Sequence, residues 1–222
     1  MREEAILVIN PGSTSTKMAL FRGASSVAEE NVPAPSAAGT LWDQFPGRLE
    51  AVTAFVEKQG GAELDAVVGR GGLIRPVPSG TILVNDALIA DARAGYQGEH
   101  PSNLGCALAD AVARPRGIPA FIVDPVAVDE MSPLARYSGT PLIARQCLSH
   151  ALNIHAAARK ACEHLGIKYA ESRFVVVHLG GGFSVVPLDG GRIVDTNNAN
   201  SEGPFAPTRA GGLPTQGLIK LC

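Results

Sequence analysis

The sequence predicts an α/β protein made of two related domains. Two observations carry this: runs with the length and β-branching of buried strands alternate with helical periodicities, and one strand–turn–strand unit occurs twice. The first copy is Ala5 to Phe21, AILVINPGSTSTKMALF, and the second is Arg173 to Thr196, RFVVVHLGGGFSVVPLDGGRIVDT. In each, an apolar strand meets a turn of small residues and reverses into a second apolar strand, with a third strand after a further turn. The first copy's third strand is expected at Val27 to Val32. Each copy is expected to open a domain with a hairpin aimed at a shared cleft, the domains spanning 1–145 and 146–222, with the second unfinished at the GLIKLC terminus.

The other elements follow in order. Pro33 to Gly39 is a broken, polar connection. Phe45, Leu49, Val52 and Val56 fall at helical spacing, so Leu41 to Gln59 is predicted as an amphipathic helix ended by Gly60 and Gly61. Leu64 to Gly69 is a buried strand that delivers Arg70 at its carboxyl end, where open α/β sheets hold ligands. Thr81 to Val84 is a short strand, and Asp86 is placed to cap a helix over Ala87 to Ala94. His100 lies in a polar loop ahead of a helix carrying Leu104, Leu108 and Val112. The strand Ala120 to Val123 ends at Asp124, a carboxylate suited to hold Mg²⁺ through water or to cap a turn. Asp129 to Pro141 reads as a linker and Ile143 to Leu165 as a long helix. On that helix His150, His155 and His164 lack the spacing of a helical zinc site and read as surface or packing residues.

Composition excludes several functions. With 45% hydrophobic residues the chain has enough apolar material for a sizeable core, and a net charge of −2 with mixed signs offers no basic stripe for nucleic acid and no polybasic segment for a membrane. The N-terminus, MREEAILVIN, lacks the length and charge of a signal peptide, and no run of about 18 apolar residues occurs, so a cytoplasmic location is expected. The four cysteines are widely spaced, without a CxxC pair, as befits reduced thiols.

The first turn holds Gly12, Ser13, Thr14, Ser15 and Thr16 beside Lys17, so hydroxyls and backbone amides crowd around one amine. That is the chemistry of a phosphate seat. A Walker A loop is excluded, because Thr16 precedes the lysine and a strand follows it. A dinucleotide fingerprint at Gly180 to Gly182 is excluded by Val185 in place of the last glycine and by the strand FSVVPL.

Six segments then stand in order: NPGSTSTK (Asn10 to Lys17), VVGRGG (Val67 to Gly72), GEHPSN (Gly98 to Asn103), FIVDP (Phe121 to Pro125), VVHLGGGFSV (Val176 to Val185) and RAGG (Arg209 to Gly212). Together they strongly resemble the butyrate kinases, within the acetate and butyrate kinase family of actin-like phosphotransferases. The resemblance implies two ribonuclease H-like domains with mixed sheets flanked by helices. It also implies reversible transfer of a phosphoryl group between ATP and a short-chain fatty acid, giving acyl phosphate and ADP.

By that resemblance Asn10, Gly12, Ser13, Ser15 and Lys17, with Gly180, Gly181 and Gly182, bind phosphates, and Asp124 and Asn10 attend Mg²⁺. Arg70 and Arg209 flank the acyl phosphate, and His100 and His178 stand near the transferred group. Acetate kinases carry a histidine motif around Gln146 and an asparagine where Gly181 stands, and both departures favour butyrate kinase. The resemblance also implies a homo-oligomer for the complete protein and closure of the domains over the substrates. Two other readings remain open at this stage: an inactive fragment lacking the adenosine site, and a kinase of a related acid such as isobutyrate or propionate.

Overall fold

The computed structural model describes residues 3–36, 39–61 and 63–222; within the expected Pro33 to Gly39 connection, Ala37 and Ala38 lie outside these. The described chain divides into two compact units, one running up to Arg75 and including Gly80–Pro125, the other comprising Pro76–Ser79 and Val126–Cys222.

The first unit is built on a six-stranded mixed sheet. β1 (Ala5–Pro11), β2 (Ser15–Arg22) and β3 (Ser25–Pro33) form an antiparallel meander. On the other side of β1 lie parallel β4 (Ala66–Gly69) and β6 (Ala120–Val123), and β5 (Thr81–Leu83) closes the sheet antiparallel to β6. α1 (Phe45–Lys58), α2 (Asp86–Ala94) and α3 (Leu104–Ala113) supply the helices. Ala5, Leu7 and Ile9 on β1 are buried, as are Leu104 and Leu108 on α3 and Val52, Phe55 and Val56 on α1. β3 is a polar edge, its sequence SSVAEENVP lowering the risk of pairing with other chains.

In the second unit, β7 (Arg173–Leu179), β8 (Phe183–Asp189) and β9 (Arg192–Ile193) form a second antiparallel meander. β1 and β7 each have seven residues and are joined to the next strand by the turns at 12–14 and 180–182, so the sequence repeat is a repeat of geometry. α4 (Ala151–Leu165) supplies Ala151, Ile154 and Ala158 to a core with Val128, Met131, Cys147, Val186, Leu188 and Ile193. A short helix, α5 (Thr215–Leu221), follows. Glu130 ties Pro76–Ser79 into this unit by accepting from the Ser79 amide (3.2 Å), Ser79 Oγ (2.7 Å) and the Ile193 amide (3.1 Å). Burial alone would raise the Glu130 carboxyl, but these hydrogen bonds outweigh it and hold the group below its ordinary value.

Three expectations are corrected. Asn85, not Asp86, caps α2: Asn85 is extended and its Oδ1 accepts from the Leu88 amide at 2.9 Å, while Asp86 is the first helical residue and pairs with Arg114. The long helix begins at Ala151, not Ile143. The segment before it is held in place by Arg145, which donates to Ala135 O (2.8 Å), Asp195 (2.9 Å) and Thr196 O (2.8 Å), while Leu142 and Ile143 face solvent. The apolar residues that suggested an earlier start belong to a pinned loop. The Asp129 to Pro141 segment is also more than a linker, since Met131 enters the core and Asp129 holds Arg136 at 2.6 Å.

Close backbone approach between β4 and α3 explains two glycines. A Cβ on Gly105 would strike the backbone of Arg70, and one on Gly69 would strike the backbone of Gly105. Gly105→Ala is expected to destabilise the fold by about 1–3 kcal/mol despite alanine's better helix propensity, because backbone cannot move aside as a side chain can. Gly139→Ala, with open space around its Cβ, should stay within about 0.5 kcal/mol of the parent in urea unfolding.

The cysteines are free, three of them buried, and burial pushes the Cys106 and Cys147 thiols up to about 12. Titration of the folded chain with a chromogenic disulfide at about pH 8 should label Cys222 at once, the other three only after denaturation. Because Cys106 and Cys147 ionise at higher pH folded than unfolded, stability should fall as pH climbs from the ordinary thiol range toward 12.

Candidate functional site

In the first unit, antiparallel register sets Asn10 opposite Lys17 and Ile9 opposite Met18. Ile9 and Met18 face the core, so alternation turns Asn10 and Lys17 to the other face of the sheet. The turn between their strands closes with the Gly12 amide donating to Ser15 O at 2.8 Å, leaving Ser13 and Thr14 exposed. Beside Asn10 and Lys17 the sheet face forms a groove to which Val8, Ala19, Phe21 and Asn31 contribute.

Parallel pairing of β1 with β4 sets Ile9 beside Gly69, so the next residue, Arg70, emerges next to Asn10. The Arg70 amide donates to Ile9 O at 2.9 Å, and its Nη1 donates to Asn10 Oδ1 at 3.3 Å. Burial lowers the affinity of this guanidinium for its proton, yet arginine stays charged at neutral pH. Among the described residues no carboxylate pairs with it. A cation drawn out of water, with one neutral side-chain acceptor, has donors left to offer an anion, and a planar fork suits a carboxylate or phosphate.

Asp124 follows β6 directly, is 1% exposed and adopts a positive φ of 38°, a conformation rare outside glycine and frequent at functional positions. Its Oδ1 accepts from the Gly80 amide at 2.6 Å. His100 caps the turn Pro101–Asn103, its Nδ1 meeting the Ser102 amide at 3.2 Å and Ser102 Oγ at 2.8 Å. In the same motif, Asn103 is wholly buried: its Oδ1 accepts from the Leu73 amide, and its Nδ2 donates to Ala92 O and Gly98 O. Asn103 thereby fixes the loop that follows Arg70.

In the second unit His178, Gly180, Gly181, Gly182 and Arg209 come together around one turn. Missing side chains make this possible: a Cβ on Gly180 would crowd His178 Nε2, and a Cβ on Gly182 would overlap the Arg209 guanidinium. Gly181 O accepts from Thr208 Oγ1 at 2.6 Å and from the Thr208 amide at 3.2 Å, which fastens the segment carrying Arg209 to the turn. Arg209 Nη1 donates to Ala199 O at 2.7 Å.

Two residues at these sites went unrecognised in the sequence. The His150 ring stacks on that of His178 at 3.9 Å between centroids and 15° between planes, and its Nδ1 meets Ser184 Oγ at 2.9 Å. It thus packs directly against a candidate site residue, a contact that no local spacing marked. Arg48 is buried beneath the first turn. Its signal was available: a charge lying among the apolar positions of an amphipathic helix.

No protein-family model matches the chain. A curated relative, named probable butyrate kinase 2, from Caldanaerobacter subterraneus subsp. tengcongensis, is 46% identical over 98% of this chain, which spans 63% of that relative's length. Among solved structures, acetate kinase from Entamoeba histolytica superposes with a TM-score of 0.76 at 15% identity, covering 98% of this chain and 61% of the other. A propionate kinase from Francisella tularensis subsp. tularensis superposes at 0.70 with 20% identity, covering 98% and 64%. In sequence the chain is similar to proteins named butyrate kinase, and its fold is that of the acetate and propionate kinases.

Proposed function

We propose that the chain serves reversible phosphoryl transfer between ATP and a short-chain fatty acid, with butanoate as the acid and butanoyl phosphate and ADP as products. The observation that carries this reading is Arg70: a desolvated guanidinium at a strand's carboxyl end, hydrogen-bonded to Asn10 and paired with no carboxylate among the described residues.

A fatty acid has a pKa of about 4 to 5, so at neutral pH it is already a nucleophile and needs no general base. A carboxylate oxygen bonds to the γ-phosphorus as the bond to the β–γ bridging oxygen breaks, and ADP leaves with that electron pair. The barrier lies in bringing two anions together and in charge gathering on the equatorial oxygens. Arg70 neutralises the acid, Lys17 and the turn at 12–15 hold phosphate oxygens, and His178 and Arg209 donate to the transferred group. His100, which caps its own turn through Nδ1, would neighbour that group.

Among the described residues no cluster of three His, Cys, Asp or Glu side chains could cage a metal. Asp124 just after β6 and Asn10 on β1, their strands separated by β4 in the same sheet, would attend a Mg²⁺ carried mainly by phosphates and water. When bound, that ion would offset charge on the phosphate oxygens. Discrimination among butanoate, isobutyrate and propionate would rest on apolar contacts worth about 1–3 kcal/mol per methylene.

Incubation with ATP, Mg²⁺ and butanoate, followed by hydroxylamine trapping, should yield butanoyl hydroxamate. Arg70→Ala should keep the fold by circular dichroism and lose at least ~100-fold in rate. A folded Arg70→Ala chain that matches the parent's rate would contradict this assignment.

A further inference from the structure

Arg48 is one of the largest side chains in the chain that is fully withdrawn from solvent, at 1% exposure. Every N–H of its guanidinium has an oxygen to meet, and most of these belong to one turn. Nη2 donates to Gly12 O at 2.8 Å, and Nη1 donates to Ser15 O at 3.2 Å and to Thr16 Oγ1 at 2.8 Å. The remaining donors go to Gln44 Oε1, from Nε at 3.1 Å and from Nη2 at 2.8 Å. Gln44 precedes Arg48 by one helical turn, so the helix aims the fork and the fork holds the loop.

A trans peptide points its carbonyl and the following amide in opposite directions. With Gly12 O drawn inward to Arg48, the Ser13 amide faces outward, on the side where Ser13 and Thr14 are exposed. The guanidinium also puts a positive charge beneath the turn, and that charge favours an anion above it.

We propose that Arg48 is a positioning residue for the phosphate seat at 12–15: it pulls the turn's carbonyl oxygens inward so that its amide and hydroxyl donors face a phosphoryl group. This rests on the reading of that turn as a phosphate seat. Burial lowers the proton affinity of Arg48, as expected for a cation held by neutral oxygens. A brace that only fastened the first turn and β2 to α1 would add stability without altering affinity for phosphate.

The test uses the full chain, ¹⁵N-labelled, titrated with inorganic phosphate. In the parent, the amides of Ser13 and Thr14 should shift with added phosphate. In Arg48→Lys, which keeps the charge and loses the fork, the dissociation constant should rise about tenfold, and exchange at the Gly12 amide should quicken. Gln44→Ala, a milder change that leaves the arginine in place, should give a smaller rise in the same direction, about threefold, and covers the case in which Arg48→Lys fails to fold. Folded variants that bind phosphate as the parent does, with Gly12 equally protected, would overturn the role of Arg48 alone. A parent chain whose turn amides ignore phosphate would overturn the phosphate seat itself.

Discussion

A guanidinium taken out of water must find oxygens to replace it, and the first unit solves that constraint in two different ways. Arg48 has its donors met by Gln44, Gly12, Ser15 and Thr16, all neutral, so the group is complete and the turn above it is shaped by the bonds. Arg70 has a single side-chain partner, the amide oxygen of Asn10. Sheet pairing fixes where it stands, because β4 runs parallel to β1 and ends beside Asn10. One arginine thus has every donor engaged by the turn and its own helix, and the other is left with donors to offer. The chemical reading of the first unit depends on that contrast.

The second unit reaches a comparable outcome by omission. Its turn at 180–182 carries no side chains, and the space is taken by His178 and Arg209. Where the first turn offers hydroxyls held from below, the second offers bare backbone with an imidazole and a guanidinium laid against it. The same meander supports both, which shows how one strand–turn–strand frame can be given different donors without changing its register.

Much of this was legible in the sequence. The strands around Ile9, Val68, Ile122 and Val186 announced themselves by apolar runs ending in turn residues, and the repeat placed the turns at Gly12 and Gly181. The position of Arg70 was legible because it directly follows a buried strand, at the carboxyl end where open α/β sheets hold ligands. Elements held by tertiary hydrogen bonds were harder to read. Arg145 pins a stretch that periodicity extends into a helix, and Asn85 outcompetes its neighbour Asp86 because the backbone at Asn85 is extended where a cap must be. His150 was missed for the same reason, since its partner Ser184 lies more than thirty residues away in sequence, whereas Arg48 stood in view among the apolar positions of its helix and only its partner Gly12 was out of reach.

The most direct test of the account is a crystal structure of the chain grown with butanoate. The account predicts a carboxylate within hydrogen-bonding distance of the Arg70 guanidinium, on the Asn10 side. A carboxylate bound elsewhere, with the Arg70 fork engaged by a side-chain carboxylate of the protein, would contradict it.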